Sequence, residues 1–158
     1  MKTLTLLRHA KAQPGSPAGS DFDRALNLRG GADARRVGQE IRDLGLTFDL
    51  VLASPAQRVV ETVSEIGGLS PRFEDRIYDA STGALLDIVR FVDDVVERLL
   101  LVGHNPGFEQ LAARLTDHAV DAFPTGALVE IELPVDHWRN VGEGGGQLAR
   151  FIKPGALA

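Results

Sequence analysis

The sequence contains no cysteine. This absence excludes disulfide bonds, thiolate metal sites and cysteine nucleophiles. The sequence also lacks any apolar run of the roughly 20 residues that a membrane-spanning helix needs. Its apolar N-terminal stretch is interrupted by Arg8 and His9, too early for the core of a signal peptide. We therefore expect no membrane association and a cytoplasmic location.

A basic surface is not expected either, because the net charge is −5 and the sequence pI is about 5.3. A general nucleic-acid-binding protein needs a basic face to meet phosphates, so we expect no nucleic-acid partner. The 158 residues show no internal repeat and no segment that reads as a linker between domains. This length fits one hydrophobic core, and we expect residues 1–158 to form a single domain.

The hydrophobic pattern alternates between strands and helices along the chain. It predicts strands at residues 3–7, 48–53, 99–102, 127–133 and 147–152. It predicts helices from an Asn27 cap to about Leu44, from a Ser54 cap with Pro55 in first position to about Ile66, from Ala84 to Arg98, and from Gly107 to Leu115. This alternation favours an α/β fold with a largely parallel sheet.

Polar residues follow three of the predicted strands. Arg8 and His9 end the first, Ser54 follows the second with Arg58 one helical turn later, and Gly103 and His104 end the third. In parallel α/β sheets, ligands bind beyond the carboxyl ends of the strands. We therefore expect these distant residues to meet at one edge of the sheet.

The residue types in this group suit phosphoryl transfer. Arginine presents a planar, permanently charged fork to phosphoryl oxygens. A neutral imidazole can attack phosphorus and hold the phosphoryl group as a phosphoramidate, which divides one difficult step into two easier ones. The sequence has no HExxH motif and no compact His/Asp ligand cluster. We therefore expect neither a metal nor another cofactor.

Four segments carry a resemblance to a known family. Leu6–Ala12 resembles the Arg-His signature of the histidine phosphatase superfamily, in the Arg-His-Ala-Lys form of its SixA branch, although most of the superfamily has Gly at the position of Ala10. Asp23–Gly30 is similar to the D-x-x-R-x-L-x-x-x-G segment of that branch, with Arg24 one place early. Ser54–Thr62 and Val102–Pro106 are similar to the second and third motifs, so the resemblance covers about residues 4–108.

This resemblance implies a phosphoglycerate mutase-like fold, a three-layer sandwich in which helices flank a mostly parallel central sheet. It implies that His9 is the nucleophile, and that Arg8, Arg58 and His104 bind the phosphoryl group. Family members often have a carboxylic acid between the second and third motifs. Asp79 is the candidate for this catalytic acid, with Asp75 and Glu74 as alternatives. Lys11 and Thr125 are further positions that could lie near the pocket.

The expected activity is that of a metal-independent phosphatase with a phosphohistidine enzyme intermediate. The short chain implies an open pocket, which suits a phosphohistidine carried by another protein, such as a phosphotransfer domain. One alternative is a small-molecule phosphomonoesterase with the same site. The other is a non-catalytic module that recognises phosphorylated partners.

Overall fold

The computed structural model describes residues 1–157. Its regular elements, in chain order, are β1 (Lys2–Arg8), α1 (Leu28–Asp43), β2 (Leu50–Ala53), α2 (Gln57–Ile66), β3 (Pro71–Phe73), α3 (Thr82–Arg90), β4 (Arg98–Gly103), α4 (Gly107–Leu115), β5 (Leu128–Leu133) and β6 (Gln147–Ile152). Short 3-10 turns include Asp21–Asp23 before α1 and Pro154–Ala156 after β6. The expected alternation of strands and helices is confirmed.

The strands form one sheet in the order β3-β2-β4-β1-β5-β6. Strands β3, β2, β4 and β1 pair in parallel, whereas β5 and β6 add an antiparallel edge. Because β4 lies between β2 and β1, the carboxyl ends of these three parallel strands are neighbours. The expectation of a mostly parallel sheet is therefore confirmed.

Helices cover both faces of the sheet, and successive residues of one strand show this. Leu99 and Leu101 of β4 pack in a core with α3 and α4. Leu100 and Val102 of the same strand pack in a second core with α1 and α2. Alternate side chains of a strand point to opposite faces, so a strand buried on both faces is apolar throughout. The result is the expected three-layer sandwich.

The prediction of a helix from Ala84 to Arg98 is wrong. Helix α3 ends at Arg90, and the following residues turn back towards the sheet. Lys2 Nζ donates to the carbonyls of Asp94 and Val96, which holds this turn beside β1. The apolar spacing continues to Val96, but Val95 is 81% exposed and contributes nothing to a buried helical face.

The proposed capping of the second helix is also wrong. Helix α2 begins at Gln57, its N-cap position is Ala56, and no side chain caps it. Ser54 is fully buried, and its hydroxyl accepts a hydrogen bond from Ala56 N (3.2 Å) instead. The short strand β3, which begins with Pro71, is missing from the sequence prediction.

Helices α1 and α2 approach closely at Gly38. A Cβ atom at this position would lie 2.4 Å from the carbonyl oxygen of Ile66, so Gly38→Ala forces two backbones apart. We expect this variant to lose about 1–3 kcal/mol of unfolding free energy, as in other overpacked sites. Urea denaturation followed by circular dichroism measures the loss.

Gly31→Ala is the matched control on the same helix. Its Cβ would meet only the mobile end of Arg35, at 3.4 Å. Alanine favours helix over glycine, so this variant should gain up to about 1 kcal/mol. Equal destabilisation of both variants would contradict the close approach at Gly38.

Candidate active site

Three neighbouring parallel strands bring the predicted site residues together. Arg8 pairs with Gly103 across β1 and β4, and His9 N donates to Gly103 O (3.0 Å). His9 and His104 therefore follow adjacent strand ends, and their rings lie 5.3 Å apart between centroids. The expectation that these strand ends converge is confirmed.

A cavity of about 460 Å³ opens at this edge of the sheet. All five predicted site residues line it, namely Arg8, His9, Arg58, Asp79 and His104. The remaining lining residues are Lys11, Ala12, Asp21, Arg24, Tyr78, Ala80, Asn105, Pro106 and Thr125. The structure thus places Lys11 and Thr125 at the pocket as well. The volume lies within the range of small-ligand sites.

His9 is held as a neutral imidazole with one defined tautomer. Its Nδ1 lies 2.7 Å from Ala10 O, and because a carbonyl only accepts, Nδ1 carries the proton. The Nε2 atom therefore keeps its lone pair. Burial, followed by the positive charges of Arg58 and Arg8, lowers the pKa of His9 to about 4 against the opposing effect of the Ala10 hydrogen bond. At neutral pH this imidazole is uncharged.

His104 has the opposite tautomer. Arg58 Nη2 donates to His104 Nδ1 (3.2 Å), because a guanidinium has no acceptor. The proton of His104 is therefore on Nε2, which donates to Ser54 Oγ (2.8 Å). Burial, then the charge of Arg58, lowers the pKa of His104 to about 3. The serine and the arginine together fix the orientation of this ring.

Of the two predicted phosphate-binding arginines, Arg58 is buried and Arg8 half-buried, and both are incompletely paired. Arg8 Nη1 donates to Phe123 O (3.0 Å). Within residues 1–157, the Nε atoms of Arg8 and Arg58 are both buried without a hydrogen-bond partner. Buried donors without partners are rare in folded proteins and cluster where function requires them. Their positive charge makes this pocket suited to an anion.

Asp21 is a pocket residue that the sequence interpretation missed. Its main-chain oxygen and its Oδ2 accept from Arg58 Nη1 (2.8 Å) and Nη2 (3.1 Å). Tyr78 OH also donates to Oδ2 (2.7 Å), and Arg24 Nε donates to Oδ1 (2.9 Å). The Tyr78 hydrogen bond, then those of the two arginines, lowers the pKa of Asp21 to about 2. Asp21 is therefore an anion on the pocket wall that anchors Arg58.

The position of Asp21 corrects the assignment of the second sequence segment. Starting the D-x-x-R-x-L-x-x-x-G pattern at Asp21 rather than Asp23 places Arg24, Leu26 and Gly30 at the expected spacing with no displacement. The Asp21–Arg24 hydrogen bond shows that the two residues act as a pair. The spacing alone was sufficient to find Asp21.

The three candidate acids differ in position. Asp79 lines the cavity, in a left-handed backbone conformation with φ of 56°. Glu74 accepts from Arg76 Nε (2.9 Å), and neither Glu74 nor Asp75 is among the lining residues. Asp79 is therefore the member of this group placed to reach a bound substrate, and its role as an acid stays a prediction.

Thr62 joins the two main parts of the site from behind. Its buried hydroxyl accepts from Ala10 N (3.0 Å) and donates to Arg58 O (2.7 Å). This links the residue after His9 to the helix that carries Arg58. In the part of the chain that the structure describes, no group of three or more His, Asp or Glu side chains is placed to hold a metal ion. None of its helices is long and apolar enough to cross a membrane.

Two histidines and two arginines meet in one pocket at the carboxyl edge of this sheet, and such a set of groups suits phosphoryl transfer. Comparison with known proteins defines the family. The profile of the histidine phosphatase superfamily (branch 1) matches residues 4–91. An uncharacterized protein of Mycobacterium tuberculosis strain H37Rv is 35% identical, covering 94% of this chain and 99% of its own. The chain belongs to the histidine phosphatase superfamily.

Solved structures agree with this assignment. A protein of Nakamurella multipartitia assigned as the phosphohistidine phosphatase SixA is 25% identical, with a TM-score of 0.86, covering 98% of this chain and 97% of its own. A second SixA assignment, from Agrobacterium tumefaciens, is 28% identical with a TM-score of 0.83, covering 97% and 98%. These similarities support phosphatase activity and the phosphoglycerate mutase-like fold.

Replacing Ser54 tests whether His104 depends on its buried partner. Ser54→Ala leaves the His104 Nε2 proton and Ala56 N without their acceptor, at a cost of about 1–3 kcal/mol in unfolding free energy. We also expect about a tenfold loss of kcat/KM for an aryl phosphate, since a misplaced ring no longer holds Arg58. Urea denaturation and steady-state kinetics measure both effects.

Ser64→Ala, on the exposed face of α2, is the control and should change neither quantity. Unchanged kinetics in Ser54→Ala would show that the serine does not position His104.

Proposed function

We propose that the protein is a phosphohistidine phosphatase whose nucleophile is Nε2 of His9. The observation that carries this proposal is the hydrogen bond from His9 Nδ1 to Ala10 O (2.7 Å), since it leaves the Nε2 lone pair available. The low pKa of His9, about 4, keeps that lone pair unprotonated at neutral pH. A non-catalytic module would gain nothing from a buried neutral imidazole between two arginines.

In the first step, His9 Nε2 attacks the phosphorus of the substrate phosphohistidine. A bond forms between phosphorus and Nε2, and the phosphorus–nitrogen bond of the substrate breaks. The electron pair of the broken bond stays on the substrate imidazole, which takes a proton from solvent. The proton on Nδ1 of His9 stays on that atom throughout, where it is hydrogen-bonded to the carbonyl oxygen of Ala10.

In the second step, water attacks the phosphorus of phospho-His9. The phosphorus–Nε2 bond breaks, its electron pair returns to Nε2, and the water proton passes to solvent. Inorganic phosphate then leaves, and His9 is again neutral. Dividing the reaction in this way is the general advantage of covalent catalysis.

The charges around the pocket stabilise the transferring group. Arg8 and Arg58 supply two guanidinium groups, and the phosphoryl transition state is stabilised by positive charge and fixed geometry. His104 Nδ1 accepts from Arg58, so it must take up a proton before it can donate to a phosphoryl oxygen. We propose that these groups suffice without a metal ion.

A phosphohistidine substrate fits the acids that are present. Asp21 is fully ionised and already accepts hydrogen bonds from Arg24, Arg58 and Tyr78, so it is a poor proton donor. An imidazole leaving group does not need a dedicated donor, because solvent can protonate it. We propose a phosphotransfer domain as the partner. The alternative, a phosphomonoesterase for small molecules, is favoured by Asp79 on the cavity wall, where it could protonate an alcohol leaving group.

The test compares three substrates in the presence of EDTA: a phosphohistidine-bearing phosphotransfer domain, an aryl phosphate and a panel of phosphorylated metabolites. We expect the phosphohistidine to be cleaved fastest. His9→Ala should lose at least about 1000-fold in rate, because the covalent route is removed. His118→Ala, an exposed histidine outside the pocket, is the control and should retain full activity.

Faster hydrolysis of a metabolite, with the same dependence on His9, would show that the substrate is a small molecule and would leave the proposed mechanism unchanged. Loss of activity in EDTA that added metal restores would refute metal independence. Absence of turnover on every substrate, with retained phosphate binding, would favour the recognition module.

A further inference from the structure

A second cleft adjoins the pocket that contains His9. Its volume is about 470 Å³, and it shares Lys11 and Thr125 with that pocket. The rest of its wall comes from the first turns of α1, from Pro124, and from Lys153 with the 3-10 turn Pro154–Ala156 after β6. The two cavities therefore adjoin at Lys11 and Thr125.

Positive charge is concentrated in the cleft. The chain has only three lysines, Lys2, Lys11 and Lys153, and the last two line this cleft together with Arg29. They come from three separate segments of a protein whose net charge is −5. Such a local excess of one sign in a concave surface attracts ions of the opposite sign.

The acidic residue of the cleft, Asp33, is neutralised by its neighbours. Its carboxylate is 10% exposed and pairs with Arg36 Nη2 at 2.8 Å, while Arg29 Nε lies 3.9 Å away. Among residues 1–157, neither Lys11 nor Lys153 forms an ion pair with a carboxylate. Lys153 Nζ instead lies 4.8 Å above the ring centre of Phe151. The lysine charges are therefore available to a ligand.

We propose that this cleft is a second anion-binding subsite, which takes a carboxylate or phosphate carried by the substrate at a distance from its transferring phosphoryl group. The proposal rests on the proposed function, because it places the transferring phosphoryl group at His9. The subsite selects substrates with a second negative charge at a distance from the first. An acidic side chain beside a phosphohistidine and a second phosphate on a small molecule share this chemistry.

The test measures binding by calorimetry, which does not depend on turnover. The probes are alkane α,ω-bisphosphonates with two to six carbons, alkyl monophosphonates of the same lengths, and inorganic phosphate. For at least one length, we expect the bisphosphonate to bind about tenfold more tightly than its monophosphonate, as two or three exposed ion pairs would provide. Arg29→Gln combined with Lys153→Gln should reduce this advantage to below about threefold.

Arg139→Gln combined with Arg150→Gln is the matched control, since it removes the same charge from residues outside both cavities. The control variant should preserve the tighter binding of the bisphosphonate. Inorganic phosphate should bind equally to the unaltered protein, the cleft variant and the control variant. Equal binding of bisphosphonate and monophosphonate at every length would overturn the subsite. The subsite would also be overturned if the tighter binding of the bisphosphonate fell equally in the cleft variant and the control variant.

Peptides with a stable phosphohistidine mimic distinguish the two sources of the second anion. Tighter binding of a mimic flanked by aspartates than of one flanked by alanines, lost in the cleft variant, supports a protein source. An advantage limited to bisphosphonates supports the subsite with a small-molecule source. Failure of phosphohistidine hydrolysis refutes the proposed function alone, because the calorimetric comparison does not require catalysis.

Discussion

The parallel pairing of β4 with both β1 and β2 is the constraint on which the site depends. It places the residues after three strands side by side, although they lie about 50 residues apart in the chain. The strands are buried on both faces, so a slip in register would move large apolar side chains out of two cores at once. The cost of such a slip keeps His9, Ser54 and His104 in fixed relative positions.

The proposed reaction has two electrostatic requirements that oppose each other. Binding a phosphoryl group needs concentrated positive charge, whereas a histidine that attacks phosphorus must remain neutral. Burial and the neighbouring arginines satisfy both, because the same charges that attract an anion lower the pKa of His9. Asp21 offsets part of this charge from the pocket wall and orients Arg58 through both of its terminal nitrogens.

Sequence patterns predicted the features that depend on neighbouring residues or on strand ends. Helix α1 begins after Asn27, whose side chain accepts from Gly30 N, and this cap could be read directly from the sequence. The failures involve contacts between distant segments. The helix predicted to Arg98 stops at Arg90, and Lys2 holds the turn that follows it. Apolar spacing carries no information about that contact.

In the candidate site, too, contacts set by strand ends could be predicted and contacts between irregular segments could not. The sequence could predict that four side chains meet, because each lies at or shortly after a strand end. These residues are Arg8, His9, Arg58 and His104. Asp21 lies in the 3-10 turn Asp21–Asp23 and could have been identified from the motif spacing, but its contact with Tyr78 depends on how two irregular segments cross. The basic cleft could not be predicted, since Lys153 lines it together with Lys11 only because β6 joins the edge of the sheet.

The most direct test of the central claim is to trap the enzyme intermediate. The protein is mixed with a phosphohistidine substrate and quenched within milliseconds in alkali, which preserves phosphohistidine. Mass spectrometry and ³¹P NMR then locate the phosphoryl group. We expect one phosphoryl group on Nε2 of His9, absent from His9→Ala. Phosphate on Nδ1 of His9 or on His104, or turnover with no phosphoenzyme at any time, would contradict it.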